Sequence, residues 1–473
     1  MKTLEELGLY IIMLKNNFGL YGLLIIGVIH SWILTKLLFF PYPELFIYPY
    51  LTNQGLAPYK QIFDQHFPGL MFLPINLDNL GMTNEIVARW WLIGIVLATH
   101  LLIFLVVSKI TSSYKKALLG NLLYLIWQPF LEGWTLWIDN FLPLFLLPAF
   151  YFTYLSISQK KSYRSLFLAG FFLSLGILFK QVIIPLAGII FLLVIIYLRD
   201  KKSLVYFLSG ILPIPLLATA YYLSIGVIKE MWFWTITFNL TTFASFGGKA
   251  PFFSGIVRVI GVYSPSLLTF LIPNKKLAMV LLVFLLGSFT GDIARFDMVH
   301  FQPSLPFIVI ITVLVFSELW QRTNLRLLIL GYLLMIGLWL PIFYKGHLSD
   351  KVFFFDKGTY AIADKIKEYS DPKEEIYLFG LVPHLYQMTE TIPVGKIFVF
   401  QFPWFLMETE ELFLEVLQED KPKLIVADRT VVIEGWDIKD FAIKLDSYIT
   451  QNYEVVDSIG TTEFMRLKDK DGK

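Results

Sequence analysis

The chain has 473 residues, of which 56% are hydrophobic and only 16% charged, with a net charge of +2 and no cysteine. That composition excludes a soluble globular domain and puts the protein in a membrane. The near-neutral balance, with no basic helix bearing interleaved aromatics, excludes nucleic acid as a partner, and the missing cysteines exclude disulfides, thiolate nucleophiles and Cys-based metal sites.

Charge is distributed unevenly. Residues 1–350 hold 24 Lys+Arg against 14 Asp+Glu, whereas 351–473 hold 15 against 23. The split predicts a basic membrane part and an acidic, water-facing tail. The N-terminal "MKTLEELGLYIIMLKNNFG" has early acids and no small-residue cleavage site, and reads as an uncleaved cytoplasmic lead-in. A hydrocarbon core of ~30 Å needs about 20 apolar residues as a helix. On that basis about eleven spans are expected, near 19–40, 86–108, 115–131, 139–157, 163–180, 182–198, 203–225, 256–273, 277–291, 303–318 and 325–344. The fifth and sixth are separated only by the tight turn "FKQVIIP".

Lys109, Lys115, Lys116, Lys160, Lys161, Arg164, Arg199, Lys201, Lys202, Lys275, Lys276, Arg322 and Arg326 all fall on one side of this arrangement, which the positive-inside rule makes cytoplasmic. The other side then carries the long loop 41–85, "EGWTLWIDN" from Glu132, the turn at 179–181, the aromatic "MWFWTITFNLTTFASFGGK" and "GDIARFDMVHFQP". The expected organisation is a membrane domain 1–344 with its first outer loop at 41–85, a linker 345–357 and an extracytoplasmic domain 358–473. In the last, strands "EIYLFG" and "KLIVAD" alternate with helices and two further strands follow near 453–458 and 463–467, a small α/β domain. No Gly-rich phosphate loop follows either buried strand, so no nucleotide is assigned.

Several polar residues sit where a membrane protein would not place them idly. Glu44, in "FPYPELFIYPYL", opens a short interfacial helix, with Tyr48, Tyr50 and Trp32 read as interface aromatics; the plainer reading is an acid favoured by the helix dipole. Asp64 and His66 lie in "FDQHFPG", where a solvated turn is the alternative. Asp139, in "WIDNFLP", is either a third acid on the same side, supporting the pair, or the N-cap of the next span. Lys180 ends an apolar helix, where an ionisable group is costly; it snorkels to the interface or binds an anion, with Gln181 beside it as a neutral donor. Arg295 and His300 precede the tenth span, and Arg295 has Asp292 and Asp297 as candidate partners. The aromatic stretch at 231–249 reads as an interfacial helix. His384, Asp428 and Trp436 in the tail are read as structural.

The order of a long first span, an acid just beyond it, "NQGLAPY" at 53–59 and "FDQHFPG" at 63–69 resembles the first outer loop of the GT-C glycosyltransferases. It is most similar to the branch with the protein O-mannosyltransferases, the lipid A aminoarabinose transferases and the RgtA/B/C/D-like bacterial transferases. Glu44 matches the first acid of that loop and Asp64 the second, although Pro-Glu stands where Asp-Glu is commonest. "ARFDMVHFQPSLP" also resembles the family segment whose basic residues face a lipid phosphate. The resemblance implies a GT-C-like polytopic α-helical membrane protein that takes a sugar from a polyprenyl-phosphate donor on the outer face of the plasma membrane. The acceptor it implies is a hydroxyl of a glycan, a lipid or a protein. Glu44 and Asp64 are the expected catalytic acids, His66 and Asp139 their support, and Lys180, Gln181, Arg295 and His300 the groups for the donor phosphate. No metal ligand set is called for by spacing; a divalent cation is left open by the resemblance. The competing class is a transporter or flippase of lipid-linked glycans. Transporters generally set polar groups on broken helices at the midplane and show duplicated halves, whereas these acids cluster at helix mouths and no repeat is visible. An inactive scaffold is a third class, against which the intact acids argue.

Overall fold

A computed structural model describes residues 17–158, 162–291 and 295–468. The N-terminal lead-in, Lys160, Lys161 and Asp292 lie outside the described residues. The main helices in chain order are α1 (Asn17–Lys36), α2 (Glu85–Thr111), α3 (Tyr114–Gln128), α4 (Leu142–Ser158), α5 (Tyr163–Phe179), α6 (Ile184–Leu198), α7 (Lys201–Ile211) and α8 (Pro213–Ser224). They continue with α9 (Phe253–Tyr263), α10 (Lys275–Gly287), α11 (Leu305–Trp320) and α12 (Arg326–His347).

Among the described residues fewer helices are long and apolar enough to cross a membrane than the eleven expected. Six are, namely Phe18–Lys36, Glu85–Thr111, Ile138–Ser158, Gln181–Leu198, Phe253–Leu271 and Thr323–His347. A seventh is added if α7 and α8, bent by 42°, form one broken span. Hydropathy marks an apolar run without fixing where its helix ends. Asn274 accepts from the Leu277 amide and caps the start of α10, but the helix stops at Gly287, short of the expected 291, and has 13 residues. At 1.5 Å per residue that helix is roughly 20 Å long, well under the ~30 Å hydrocarbon core. The apolar helices α5 and α11 have 17 and 16 residues and fall short in the same way. Glycines bring two of these short helices together. A Cβ on Gly170 of α5 would lie 2.4 Å from the Phe207 carbonyl, and one on Gly210 of α7 would lie 2.1 Å from that of Phe167. Small residues are what let helix backbones approach this closely in lipid.

The chain divides into two compact units. The first comprises Met1–Phe39, Arg89–Ala218 and Lys249–Lys351, and the second Phe40–Ala88, Thr219–Gly248 and Val352–Lys473. The second unit is mixed α/β. Its five-stranded sheet is built from β1 (Glu375–Phe379), β2 (Ile392–Pro393), β3 (Ile425–Ala427), β4 (Tyr453–Ile459) and β5 (Thr462–Leu467), in the order β4-β5-β3-β1-β2. β1 runs parallel to β2 and β3, while β5 is antiparallel to β3 and β4. The central strands β1 and β3 are almost wholly buried and read as continuous apolar runs, as expected for strands covered on both faces. β4, at the edge, exposes Glu454 together with Val455 and Val456.

The loop after the first span is part of this unit. Its helix Glu44–Asn53 is buried from Glu44 to Leu51, and Ile62–Phe63 pairs in parallel with Phe398–Val399. The aromatic stretch at 231–249 forms several short helical turns in the same unit. Trp234 and Phe238 are buried there, and Phe238 stacks on Phe405 with ring centroids 5.2 Å apart. Trp232, Leu240 and Phe246 are exposed. His384, read as structural, is buried with its Nε2 2.8 Å from the Phe354 carbonyl.

Candidate active site

The expected site residues fall into both units. Glu44, Asp64 and His66 belong to the second, and Asp139, Lys180, Gln181, Arg295 and His300 to the first. Each unit holds a buried polar cluster of its own.

In the second unit the centre is Asp64. It is 1% exposed, which rules out the solvated turn considered from sequence. The Tyr48 hydroxyl donates to its Oδ2 at 2.6 Å, the His66 backbone amide donates to its Oδ1 at 2.7 Å, and His66 Nδ1 lies 2.9 Å from the same oxygen. The His66 carbonyl accepts from the Tyr59 hydroxyl at 2.9 Å, and Tyr59 adopts a left-handed backbone, φ 64°, that tightens this turn. Glu44, also buried, stands on the first turn of its helix, where the dipole favours an anion. Burial first, and then the carboxylates of Asp64 and Glu44, hold the Tyr48 phenol proton on well above the usual tyrosine range. Tyr48 therefore bonds to Asp64 and lies within electrostatic reach of Glu44. It is wholly buried and Tyr50 nearly so, which corrects their reading as interface aromatics; Trp32 does remain exposed. The signal missed in the sequence is spacing: Tyr48 follows Glu44 by four residues on one helix, so the two side chains share a face.

In the first unit the centre is an ion-paired triad. Lys180 Nζ donates to both oxygens of Asp139 at 2.7 Å, and His300 Nδ1 lies 2.9 Å from Asp139 Oδ2 and 3.3 Å from Lys180 Nζ. Lys180 is 6% exposed and so does not snorkel. Its extended backbone ends α5, a 3-10 turn Gln181–Ile183 follows, and the Thr290 hydroxyl ties that turn by donating to the Val182 carbonyl at 2.6 Å. Asp139 occupies the middle of the 3-10 turn Ile138–Asn140 before α4, and its carboxylate is spent on Lys180 and His300 rather than on capping. Burial first, and then the Lys180 ammonium, depress the pKa of His300 against the pull of Asp139. At neutral pH His300 is an uncharged ring.

A second ionic group shares the segment that carries His300. Arg295 Nε pairs with Asp297 Oδ2 at 2.9 Å, one of the two partners considered from sequence, and Lys249 pairs with Asp297 Oδ1. Phe296 N donates to the Lys249 carbonyl at 3.0 Å, which holds the two strands of chain together. Glu132, not singled out in the sequence, joins this group. Burial and the nearby Asp297 push its carboxyl up to about 6, against Arg258, Lys249 and a bond from the Val299 amide. It sits in a left-handed conformation, φ 56°, just before a glycine, and the Glu-Gly pair after "WQPF" was the available clue. The turn that bears it is pinned from within: Gln302 Nε2 donates to the carbonyls of Gln128 and Leu131, and Gln128 Nε2 donates to that of Gly133.

Gln128 also ends a buried polar row between α1, α2 and α3. Its Oε1 lies 3.0 Å from His30 Nε2, His30 Nδ1 lies 2.8 Å from His100 Nε2, and His100 Nδ1 lies 2.7 Å from Asn121 Oδ1. Among the described residues no group of three or more His, Asp or Glu side chains is arranged to hold a metal ion.

Solved structures carry the comparison. ArnT from Cupriavidus metallidurans, bound to undecaprenyl phosphate, superposes with a TM-score of 0.58 at 12% identity over 95% of this chain and 98% of that one. Its apo state superposes at 0.59 with the same identity and coverage. The archaeal oligosaccharyltransferase AglB from Archaeoglobus fulgidus, in complex with an inhibitory peptide and a dolichol-phosphate, gives 0.54 at 14% identity over 97% of this chain and 75% of that one. The fold is that of ArnT and AglB. No protein-family profile and no curated protein matches the sequence, so the likeness rests on architecture. The fold fixes the path of the chain and leaves the chemistry to the clusters described above.

Proposed function

We propose that this protein is an integral-membrane glycosyltransferase that moves a sugar from a polyprenyl-phosphate donor to an acceptor hydroxyl on the outer face of the membrane, with inversion. The observation that carries the reading is the pair of buried acids around Tyr48 in a chain of GT-C fold. The acceptor oxygen attacks the anomeric carbon, its proton passes to a carboxylate, and the bond to the phosphate oxygen breaks with its electron pair. Glu44 is the base. Both oxygens of Asp64 already accept hydrogen bonds, which suits it to orient the acceptor and hold Tyr48 rather than to take the proton. The leaving phosphate gathers negative charge that fixed donors stabilise; Lys180, Arg295 and Lys249 supply cations and Gln181 a neutral donor, while His300, its one ring hydrogen turned to Asp139, positions that carboxylate and Lys180. Support for a lipid phosphate comes from ArnT and AglB, whose structures carry undecaprenyl phosphate and dolichol-phosphate.

The test is transfer in proteoliposomes with a panel of polyprenyl-phosphate sugars. Glu44→Gln is expected to lower turnover by roughly 10²- to 10⁴-fold, the usual worth of a general base, while donor binding persists. Full transfer by both Glu44→Gln and Asp64→Asn would end the assignment. Movement of the lipid donor between leaflets without sugar transfer would favour a flippase instead.

A further inference from the structure

A polar cleft of about 430 Å³ opens in the second unit, lined by Gln54, Gln61, Lys373, Glu375 and Lys396 among others. Both lysines are exposed, and among the described residues neither ammonium has an ion pair or a hydrogen bond. The one acid among the described lining residues, Glu375, is partly satisfied by the Gly395 amide, which donates to its Oε2 at 2.9 Å. Gln61 Oε1 accepts from the Ala57 amide at 2.9 Å, which fixes the side chain and leaves its NH₂ to donate. The cleft thus offers positive charge and amide donors.

Its backbone is strained in a consistent way. Lys373 and Lys396 have φ of 66° and 53°, and Glu390, whose carbonyl accepts from the Lys373 amide at 2.7 Å, has φ 56°. Left-handed non-glycine residues cost energy and gather where function holds them. Position adds a further argument. Gln54 caps the C-terminal end of the helix that Glu44 begins, and Gln61 lies three residues before Asp64. The helix, ten residues long, spans about 15 Å, so one extended ligand can touch both of its ends.

We propose that this cleft binds an anionic stretch of an oligosaccharide, bearing carboxylate or phosphate groups, as the distal part of the acceptor; this rests on the transferase reading above. The lysines pair with the anionic groups and the glutamine amides with sugar hydroxyls. The bound chain presents its terminal hydroxyl toward Glu44.

The experiment measures binding of three labelled probes to the full-length protein in detergent: a galacturonic acid trimer, a glycerol-phosphate oligomer and neutral maltotriose. At least one anionic probe is expected to bind tenfold or more tighter than maltotriose, and to weaken as salt rises. Which one does so separates the carboxylate source from the phosphate source. The exposed double variant Lys373→Gln/Lys396→Gln loses that tenfold preference, and Glu375→Gln, which keeps an acceptor for the Gly395 amide, binds the anion tighter. Equal binding of all three probes, or an unchanged preference in the double variant, overturns the site. Glu44→Gln keeps probe binding while losing transfer. If it instead transfers normally, Glu44 is not the base; if the unaltered protein transfers no sugar while probe binding still depends on the lysines, the cleft stands and the transferase reading falls.

Discussion

The two units solve the burial of charge in opposite ways. In the first, the carboxylate of Asp139 meets an ammonium and an imidazole, so charge is cancelled by charge. In the second, Asp64 accepts from a phenol and a backbone amide and lies beside a ring nitrogen, with no lysine or arginine among its described partners. A cancelled cluster holds geometry. A cluster held by hydrogen bonds fixes where the carboxylate points, which is what Asp64 needs to orient an acceptor.

The contrast can be broken at its strongest point by Lys180→Met. Removing one partner of a buried pair leaves Asp139 uncompensated and costs about 3–5 kcal/mol, to be read as a fall in thermal stability in detergent. Lys180→Met/Asp139→Leu is expected to recover most of it, and failure to recover would mean that the pair is not the stabilising unit. Tyr48→Phe is the smaller change in the other unit. It removes a hydrogen bond to a charged acceptor, worth about 1.5–3 kcal/mol, and should lower turnover more than donor affinity; a variant with normal turnover would remove Tyr48 from the site.

The smallest effect lies in pH. His300 resists protonation when folded, so the unfolded chain binds more protons below the ordinary 6.5 and stability falls as pH drops through that value, at no more than about 1.4 kcal/mol per pH unit. Glu132 acts with the opposite sign. Its folded pKa of about 6 stands above the ordinary 4.5, so its contribution is present below 4.5 and is lost as pH rises through 6. His300→Gln should flatten the first slope and Glu132→Gln the second, both measured as melting temperature against pH.

How far the sequence foretold this differs by element. The central tail strands were legible, because "IYLF" and "LIVA" are short apolar runs between turn residues and nothing else fits them. The span count was not, since an apolar run shows that a segment tolerates lipid but not where its helix will stop, at Gly287 in α10 or before Lys180 in α5. Asp64 and Lys180 stood out as polar groups in apolar surroundings, yet their partners did not: Tyr48 looked like one more interface aromatic, and Asp139 lies 41 residues from Lys180. The cleft lysines were illegible for another reason. An exposed lysine carries no pattern, and only its backbone conformation and its neighbours across the sheet give it meaning.

The row of His30 and His100 raises a question of counting. Asn121 and Gln128 each turn an oxygen toward it, because their amide nitrogens donate to the Ala117 and Gly133 carbonyls. Three gaps then need three ring hydrogens, while two neutral imidazoles carry one each. With two neutral rings one of the three gaps stays without a hydrogen, so the seam between α1, α2 and α3 keeps one unfilled place inside the bundle.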